Sequence, residues 1–194
     1  MEPLEKKDKL AIFSLSAGHF INDAYSNFLG PLLPLLMAKL KLTIAEAGWL
    51  VAILVFSSSF TQPIYGYFSD RYLKRLFAVF SPLVTAVFMS CIGLAPNYLT
   101  LAALLVCAGI GIASFHPQSA AMTALASRHR KGLGLSIFVT SGTLGFSLGP
   151  LIITYAVAFL GMERSYLVMI PGLLAFGLLF FFVPRMEQDR KSVV

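Results

Sequence analysis

The sequence predicts an all-α integral membrane protein: a single domain, residues 1–194, built as a bundle of six membrane-spanning helices. Hydrophobic residues make up 57% of the chain and charged residues only 12%, against roughly 25% charged in soluble domains. Six apolar segments are each long enough to cross about 30 Å of hydrocarbon as a helix. None shows the two-residue alternation of a membrane β-barrel strand. The predicted spans are residues 10–37, 45–69, 76–95, 99–126, 133–160 and 165–184.

The distribution of charge predicts the orientation of these spans. Most of the 15 basic residues lie in the N-terminal segment, in the loops after the second and fourth spans, and in a tail at 185–194. The other loops hold Lys39, Lys41 and Arg164. The positive-inside rule then places both termini and the tail in the cytoplasm, with the chain in the plasma (inner) membrane. Contact with the lipid bilayer explains the net charge of +6 better than a nucleic-acid partner does.

The first span carries a polar face. Five polar residues recur at helical spacing on one side of it: His19, Asn22, Asp23, Ser26 and Asn27. Such a face cannot look at lipid, so it must meet a cavity or another helix. We expect Asp23 and His19 to carry a proton, because an ionisable group in hydrocarbon usually serves a transport path. Asn22 and Asn27 either line a substrate cavity or join helices. Gly30, Pro31 and Pro34 follow and predict a bend.

The second and fourth spans add further candidates for the cavity. Gln62 and Tyr65 share a face of the second span, beside Pro63. Gln62 either contacts a solute or satisfies the carbonyls that the proline frees, and the sequence leaves both open. His116 stands on a face of small residues in the fourth span, directly before Pro117, and is interpreted as a cavity residue rather than a core histidine.

The third and sixth spans are defined by apolar length alone, whereas the fifth carries a glycine face. Gly142, Gly145 and Gly149-Pro150 make a smooth groove for close helix approach, used either for static packing or for a sliding contact. Cys91 and Cys107 lie inside apolar segments, so we expect buried thiols and no cysteine metal site.

Several motifs resemble those of a known family. The loop from Gly66 to Arg75 resembles the cytoplasmic loop of the major facilitator superfamily, with Leu73 in place of its second glycine. The Gly145–Pro150 segment is similar to the start of the superfamily's antiporter motif, without the glycine pair that normally follows. Four motifs together resemble the fosmidomycin-resistance type of drug exporter: His19-x-x-Asn22-Asp23, Gln62-Pro63-x-x-Gly66-Tyr67-x-x-Asp70, Phe115-His116-Pro117-x-Ser119 and Ser147-Leu148-Gly149-Pro150-Leu151.

The resemblance implies half of a twelve-helix transporter. We therefore expect a second six-helix half, an identical copy being favoured over a separately encoded one, since helix 1's polar face would otherwise meet lipid. The implied function is proton-coupled export of a small amphipathic solute or drug by alternating access, without enzymatic chemistry, cofactor or metal. By repeat correspondence, Ser58 of one copy would meet the glycine face of the other. The implied cytoplasmic gate consists of Asp70, Arg71, Lys74 and Arg75.

Three alternatives remain open at this stage. The chain could be a uniporter or symporter in which Asp23 is structural, or a membrane subunit that does not itself transport. An intramembrane enzyme is disfavoured, because the His-x-x-x-Asp spacing of His19 and Asp23 is a weak signal and no nucleophile with a nearby base is evident.

Overall fold

The computed structural model describes residues 4–68 and 74–184, and every regular element within these ranges is helical. This agrees with the predicted all-α class. Three 3₁₀ segments, Ile92–Leu94, Arg128–Arg130 and Met162–Met169, extend or join the longer helices. The described α-helices are α1 (Lys6–Ser26), α2 (Leu29–Leu40), α3 (Ile44–Ser59), α4 (Gln62–Phe68), α5 (Lys74–Cys91), α6 (Tyr98–Ala126), α7 (Lys131–Leu160) and α8 (Ile170–Phe182).

Five helical stretches of the described chain are long and apolar enough to cross a membrane: Ile44–Tyr67, Arg75–Leu94, Tyr98–Ala126, Arg128–Leu160 and Met162–Phe182. They correspond to the second through sixth predicted spans. The first predicted span, residues 10–37, differs. It is divided into α1 and α2, and α1 begins among charged residues of the N-terminal segment. The predicted tail, residues 185–194, lies outside the described residues.

Proline explains where two helices break. A proline ring clashes with the carbonyl four residues earlier, so a helix interrupted by proline breaks about one turn upstream. Pro31 lies in the first turn of α2, and the break falls at Asn27 and Phe28. Likewise Pro63 lies in the first turn of α4, and α3 ends at Ser59. The bend expected at the prolines of the first span therefore occurs one turn earlier.

Helix α1 lies at the centre of the bundle, in contact with α5, α6, α7 and α8, while α3 and α4 pack mainly on α6. Leu15 and Tyr25 of α1 and Phe115 of α6 are almost fully buried. The Tyr25 hydroxyl donates to the Val168 carbonyl and accepts from the Gly172 N–H at 3.2 Å. The expectation that the polar face of the first span meets lipid without a second half is therefore wrong, because most of that face is covered by the same bundle.

The glycine face of α7 is also covered within the chain. A Cβ on Gly142 would strike the His19 ring, and one on Gly145 would approach three backbone atoms of Phe20 more closely than 3.0 Å. Gly149 is held in the same way against the backbone of Ala24. The close approach predicted for these glycines is present, but its partner is α1 of the same chain.

The prediction that this face meets the second span of another copy is therefore wrong for Gly142, Gly145 and Gly149. The neighbouring serine Ser57 packs onto Gly109 of α6. The predicted interface residues Ser58 and Pro150 are both half-buried.

Large apolar side chains cover the outer surfaces of α3 and α7. Those exposed by more than half include Trp49 and Phe56 on α3 and Leu144, Phe146 and Phe159 on α7. A contiguous apolar surface of this kind is unsuited to water and fits lipid or a second protein surface.

Candidate functional site

One carboxyl group stands between two imidazoles inside the bundle. The Asp23 Oδ2 atom lies 3.1 Å from His19 Nε2, one turn away on α1. The Asp23 Oδ1 atom lies 3.5 Å from His116 Nε2, which comes from α6. The side chains of His19, Asp23 and His116 are 9%, 16% and 29% exposed. The structure thus brings His116, from a distant part of the sequence, against the His19–Asp23 pair of α1.

Helix α7 fixes the orientation of the His19 ring. The ring fills the hollow left by Gly142 and stacks on Phe138, with ring centroids 4.0 Å apart. Its Nδ1 lies 2.7 Å from the Phe138 carbonyl oxygen, which can only accept a hydrogen bond. Nδ1 must therefore carry a proton, and Nε2 faces Asp23.

This orientation determines what the site can hold. A neutral imidazole with its proton on Nδ1 has a lone pair at Nε2, and an ionised carboxylate offers only lone pairs. The 3.1 Å contact between His19 and Asp23 is therefore favourable only when a proton or another cation lies between them. Asp23 Oδ1 is buried and accepts no hydrogen bond within the described structure.

A groove of about 500 Å³ reaches His116 at the break between α3 and α4. Gln62 lines this groove, and its Nε2 donates to the Ser58 carbonyl at 3.1 Å. Gln62 thus satisfies a carbonyl one turn earlier in this segment, while part of its side chain also lines the groove, so both interpretations of Gln62 remain predictions. The lining residues are Ser59, Gln62, Pro63, Gly66, His116 and Pro117.

The other predicted cavity residues make contacts between helices. Asn22 has no exposed surface, and its Oδ1 accepts a hydrogen bond from the Thr85 hydroxyl of α5 at 2.8 Å. Asn27 donates to the Phe146 carbonyl of α7 at 2.9 Å. Asn22 therefore has the helix-joining role that the sequence left open. In this conformation it lies in the bundle interior instead of on an open surface.

Tyr65 is half-buried beside the groove, and its ring meets the edge of Phe77 at a centroid distance of 5.6 Å. Its carbonyl accepts a hydrogen bond from Gln118 Nε2 at 2.9 Å. Gln118, which is 1% exposed, is a polar core residue that sequence reasoning missed. Its position two residues after His116 in an apolar span was the available signal. Thr85 was also missed, because a single threonine in an apolar span is not unusual.

Only part of the predicted cytoplasmic gate can be placed. Asp70, Arg71 and the side chain of Lys74 lie outside what the structure describes. The Arg75 guanidinium donates to the carbonyls of Val183 at 2.8 Å and Phe180 at 2.6 Å. Arg75 therefore joins the start of α5 to the C-terminal end of α8, where a cation is electrostatically favoured.

Comparison with known proteins agrees with this architecture. The family model described as Major Facilitator Superfamily matches residues 15–193. The chain is 32% identical over 164 residues to the fosmidomycin resistance protein of Escherichia coli (strain K12), an alignment covering 84% of this chain and 40% of that protein. It is 31% identical over 191 residues to the multidrug resistance protein MdtG of Salmonella paratyphi A, covering 93% of this chain and 46% of that protein.

A third relative is an uncharacterised MFS-type transporter of Bacillus subtilis (strain 168), YfnC. It is 30% identical over 137 residues, which cover 69% of this chain and 33% of that protein. The chain therefore spans less than half the length of each of these three relatives.

Proposed function

The chain belongs to the major facilitator superfamily, and we propose that it forms one six-helix half of a secondary transporter that works by alternating access. In such transporters two bundles rock about a site near the membrane midplane. The five apolar helical stretches support a multi-pass membrane location. This chain spans less than half the length of the fosmidomycin-resistance and MdtG relatives. This supports a transporting assembly that is larger than the chain alone.

The proposed substrate is a small amphipathic solute or drug moved out of the cell. Two of the relatives bear names that refer to drug resistance, one of them to fosmidomycin. The groove beside His116 offers a few polar groups in an otherwise apolar surface, which suits a solute of mixed polarity.

Proton coupling is assigned to Asp23 and His19. The observation that carries this assignment is the contact between His19 Nε2 and Asp23 Oδ2, which requires a proton or cation because Nδ1 already donates to Phe138. A proton on this pair can shift the inward–outward equilibrium only if the two states bind it with different affinity. His116, on a different helix and closer to the groove, gives the site a contact that can differ between states.

The second half is proposed to be an identical copy, with a separately encoded half as the alternative. Both chain termini are placed in the cytoplasm by the positive-inside rule, so two copies related by an axis along the membrane normal would share one orientation. The interface must differ from the one suggested by the sequence, since α1 covers the glycine face.

The exposed side of α7 is the better interface candidate. It presents a line of hydroxyl groups, and each donates to a carbonyl four residues earlier in the helix: Ser136, Thr143, Ser147 and Thr154. Small hydroxyl residues favour close helix contact in membranes. The mass of the detergent-solubilised particle tests the assembly, and a particle containing one 21.1 kDa chain alone would contradict it.

The test of the mechanism is solute flux in proteoliposomes with and without a pH gradient, with fosmidomycin as the first probe. Asp23→Asn should abolish gradient-driven flux while the melting temperature in detergent stays close to that of the wild type. Asp8→Asn is the matched control, because Asp8 is a second carboxyl on α1 that pairs with Arg128 at the end of the bundle. Unchanged proton-coupled flux in the Asp23→Asn variant would remove Asp23 from the mechanism.

The same measurements separate the alternatives. If the solute flux of the wild type does not change with the pH gradient, the protein is a uniporter. If the solute moves in the same direction as the protons, the protein is a symporter. A purified chain that binds and moves no solute, even as a dimer, indicates a subunit that acts on another protein.

A further inference from the structure

We propose that His19, Asp23 and His116 form a binding site for one divalent transition-metal ion of the Zn²⁺ class. Each residue offers one ligand atom, and these atoms lie within 4.8 Å of one another. The sequence alone predicted no metal, because the spacing of His19 and Asp23 is a weak pattern. The third ligand comes from a different helix, and only the fold brings it into place.

The distances between ligand atoms fit a small metal ion. Zinc binds histidine nitrogen and carboxylate oxygen at about 2.0–2.2 Å, which places the ligand atoms of a tetrahedral site roughly 3.3 Å apart. Each imidazole lies near this distance from one oxygen of the carboxyl group: His19 Nε2 is 3.1 Å from Asp23 Oδ2, and His116 Nε2 is 3.5 Å from Asp23 Oδ1. The three ligand atoms, which lie within 4.8 Å of one another, would have to draw together by up to about 1.5 Å to close the site around an ion.

The His19 ring is already held as a metal-binding histidine usually is. Such histidines donate their second ring N–H to a carbonyl or carboxylate, which fixes the tautomer and leaves the other nitrogen free to bind. His19 Nδ1 has this contact with the Phe138 carbonyl at 2.7 Å. Stacking on Phe138 holds the plane of the ring. The remaining lone pair at Nε2 faces the carboxyl group.

Asp23 presents a second indication of a cation. Its Oδ1 atom is buried and accepts no hydrogen bond within the part of the chain that the structure describes. A buried carboxylate oxygen without a donor is unfavourable unless it is paired with a charge. A divalent ion between the three side chains would satisfy both this oxygen and the lone pair of His19.

The chemistry of the donors selects the kind of ion. Two imidazole nitrogens with one carboxylate suit Zn²⁺, Co²⁺ or Ni²⁺, whereas Mg²⁺ and Ca²⁺ prefer all-oxygen sites. Three protein ligands leave a fourth position for water or solute. His116 is the most exposed of the three and lines the groove, so an ion could reach the site from there.

Titration of the purified full chain with Zn²⁺, after removal of any polyhistidine tag, tests the proposal by calorimetry. Co²⁺ serves as a spectroscopic substitute whose visible absorption reports tetrahedral binding, and Mg²⁺ as the ion expected not to compete. The wild type should bind one Zn²⁺ per chain. His116→Gln should weaken binding by at least about tenfold, a loss comparable to or larger than that from disturbing outer contacts of metal ligands.

The third histidine of the chain provides a matched control. His129 lies exposed in the 3₁₀ segment Arg128–Arg130, away from the cluster. His129→Gln should bind Zn²⁺ as the wild type does. Asp23→Asn is a second variant, so the test holds if one of the two altered proteins does not fold. Absence of saturable Zn²⁺ binding in the wild type, or equal affinity in the wild type and a folded His116→Gln protein, would overturn the proposal.

This inference does not rest on the proposed transport function, because its measurement needs neither flux nor a second half. A protein that binds Zn²⁺ at this site and moves no solute would keep the metal site and refute the transporter. A protein that moves solute without binding Zn²⁺ would keep the transporter and refute the metal site.

Discussion

Replacing Gly145 by alanine should loosen the bundle at the contact between α1 and α7. A methyl group at this position would lie closer than 3.0 Å to three backbone atoms of Phe20. Backbone atoms cannot rotate away as the end of a side chain can, so α1 must shift. Overpacking of this kind costs about 1–3 kcal/mol. Alanine recovers about 0.5–1 kcal/mol relative to glycine within a helix, so the net loss should be about 0–2.5 kcal/mol. We expect the upper half of this range, because all three close contacts are with backbone atoms.

The matched control for this variant is Gly177→Ala. Gly177 lies inside α8, and a Cβ there would meet nothing within 4 Å. The substitution should therefore be neutral or stabilise by up to about 1 kcal/mol.

Thermal unfolding in detergent measures the difference between the two variants. A thiol-reactive dye can follow it, because Cys91 and Cys107 are free and partly buried. For a chain of this size 1 kcal/mol corresponds to about 2–4 °C, so Gly145→Ala should lower the melting temperature by roughly 3–10 °C. A melting temperature for Gly145→Ala equal to that of Gly177→Ala would refute the packing argument.

Two further predictions concern other parts of the bundle. Thr85→Val should destabilise by about 1–3 kcal/mol and lower the melting temperature in detergent, because it leaves a buried amide oxygen of α1 without its donor. Thr85→Ser keeps a hydroxyl donor and should stay closer to the wild type. At the N-terminal end, hydrogen bonds from Lys7 and then Arg128 lower the pKa of Glu5 from its usual value. Its ion pairs should therefore stabilise the first turn of α1 at pH values above the usual pKa of a glutamate, and this stabilisation should be lost as the pH falls through the lowered pKa. The rate of amide hydrogen exchange in this turn should rise when the pH is lowered. In the Glu5→Gln variant this rise should be smaller.

Apolar length was enough to predict most of the helices. The second through sixth spans follow from continuous apolar stretches bounded by charged or turn residues, and their ends agree with the structure to within a few residues. The division of the first span into α1 and α2 was harder to predict from the sequence. Pro31 signalled an interruption, but the carbonyl it excludes belongs to Asn27, one turn earlier.

Periodicity predicted which residues share a face, but not what covers that face. The glycines of α7 indicated that a backbone approaches closely, which is a local property of Gly145 and Gly149. That the approaching backbone is Phe20 to Ala24 of the same chain depends on how distant helices pair. The sequence could not distinguish this from a second copy, since small residues accept either partner equally.

The candidate site shows the same division between local and distant information. Helical spacing placed His19 and Asp23 one turn apart, as found. The contact of His116 with the Asp23 carboxyl group depends on how α6 packs against α1, and no local sequence pattern predicts this packing. The Phe138 carbonyl that orients His19 could not be foreseen, because every residue carries a carbonyl and only the fold selects one.

The seating of α1 on the glycines of α7 limits how the protein can move. The backbone of α1 lies closer to Gly145 and Gly149 than a residue with a Cβ atom would allow, so sliding either helix would carry larger residues into this contact. We therefore expect the two helices to move together as one unit. His19 and Asp23 belong to that unit, and His116 belongs to α6. Any relative displacement of the two units would lengthen or shorten the separation between residues 23 and 116. A pair of spin labels flanking those positions would therefore report a rearrangement within one bundle, separately from the rocking of two bundles against each other.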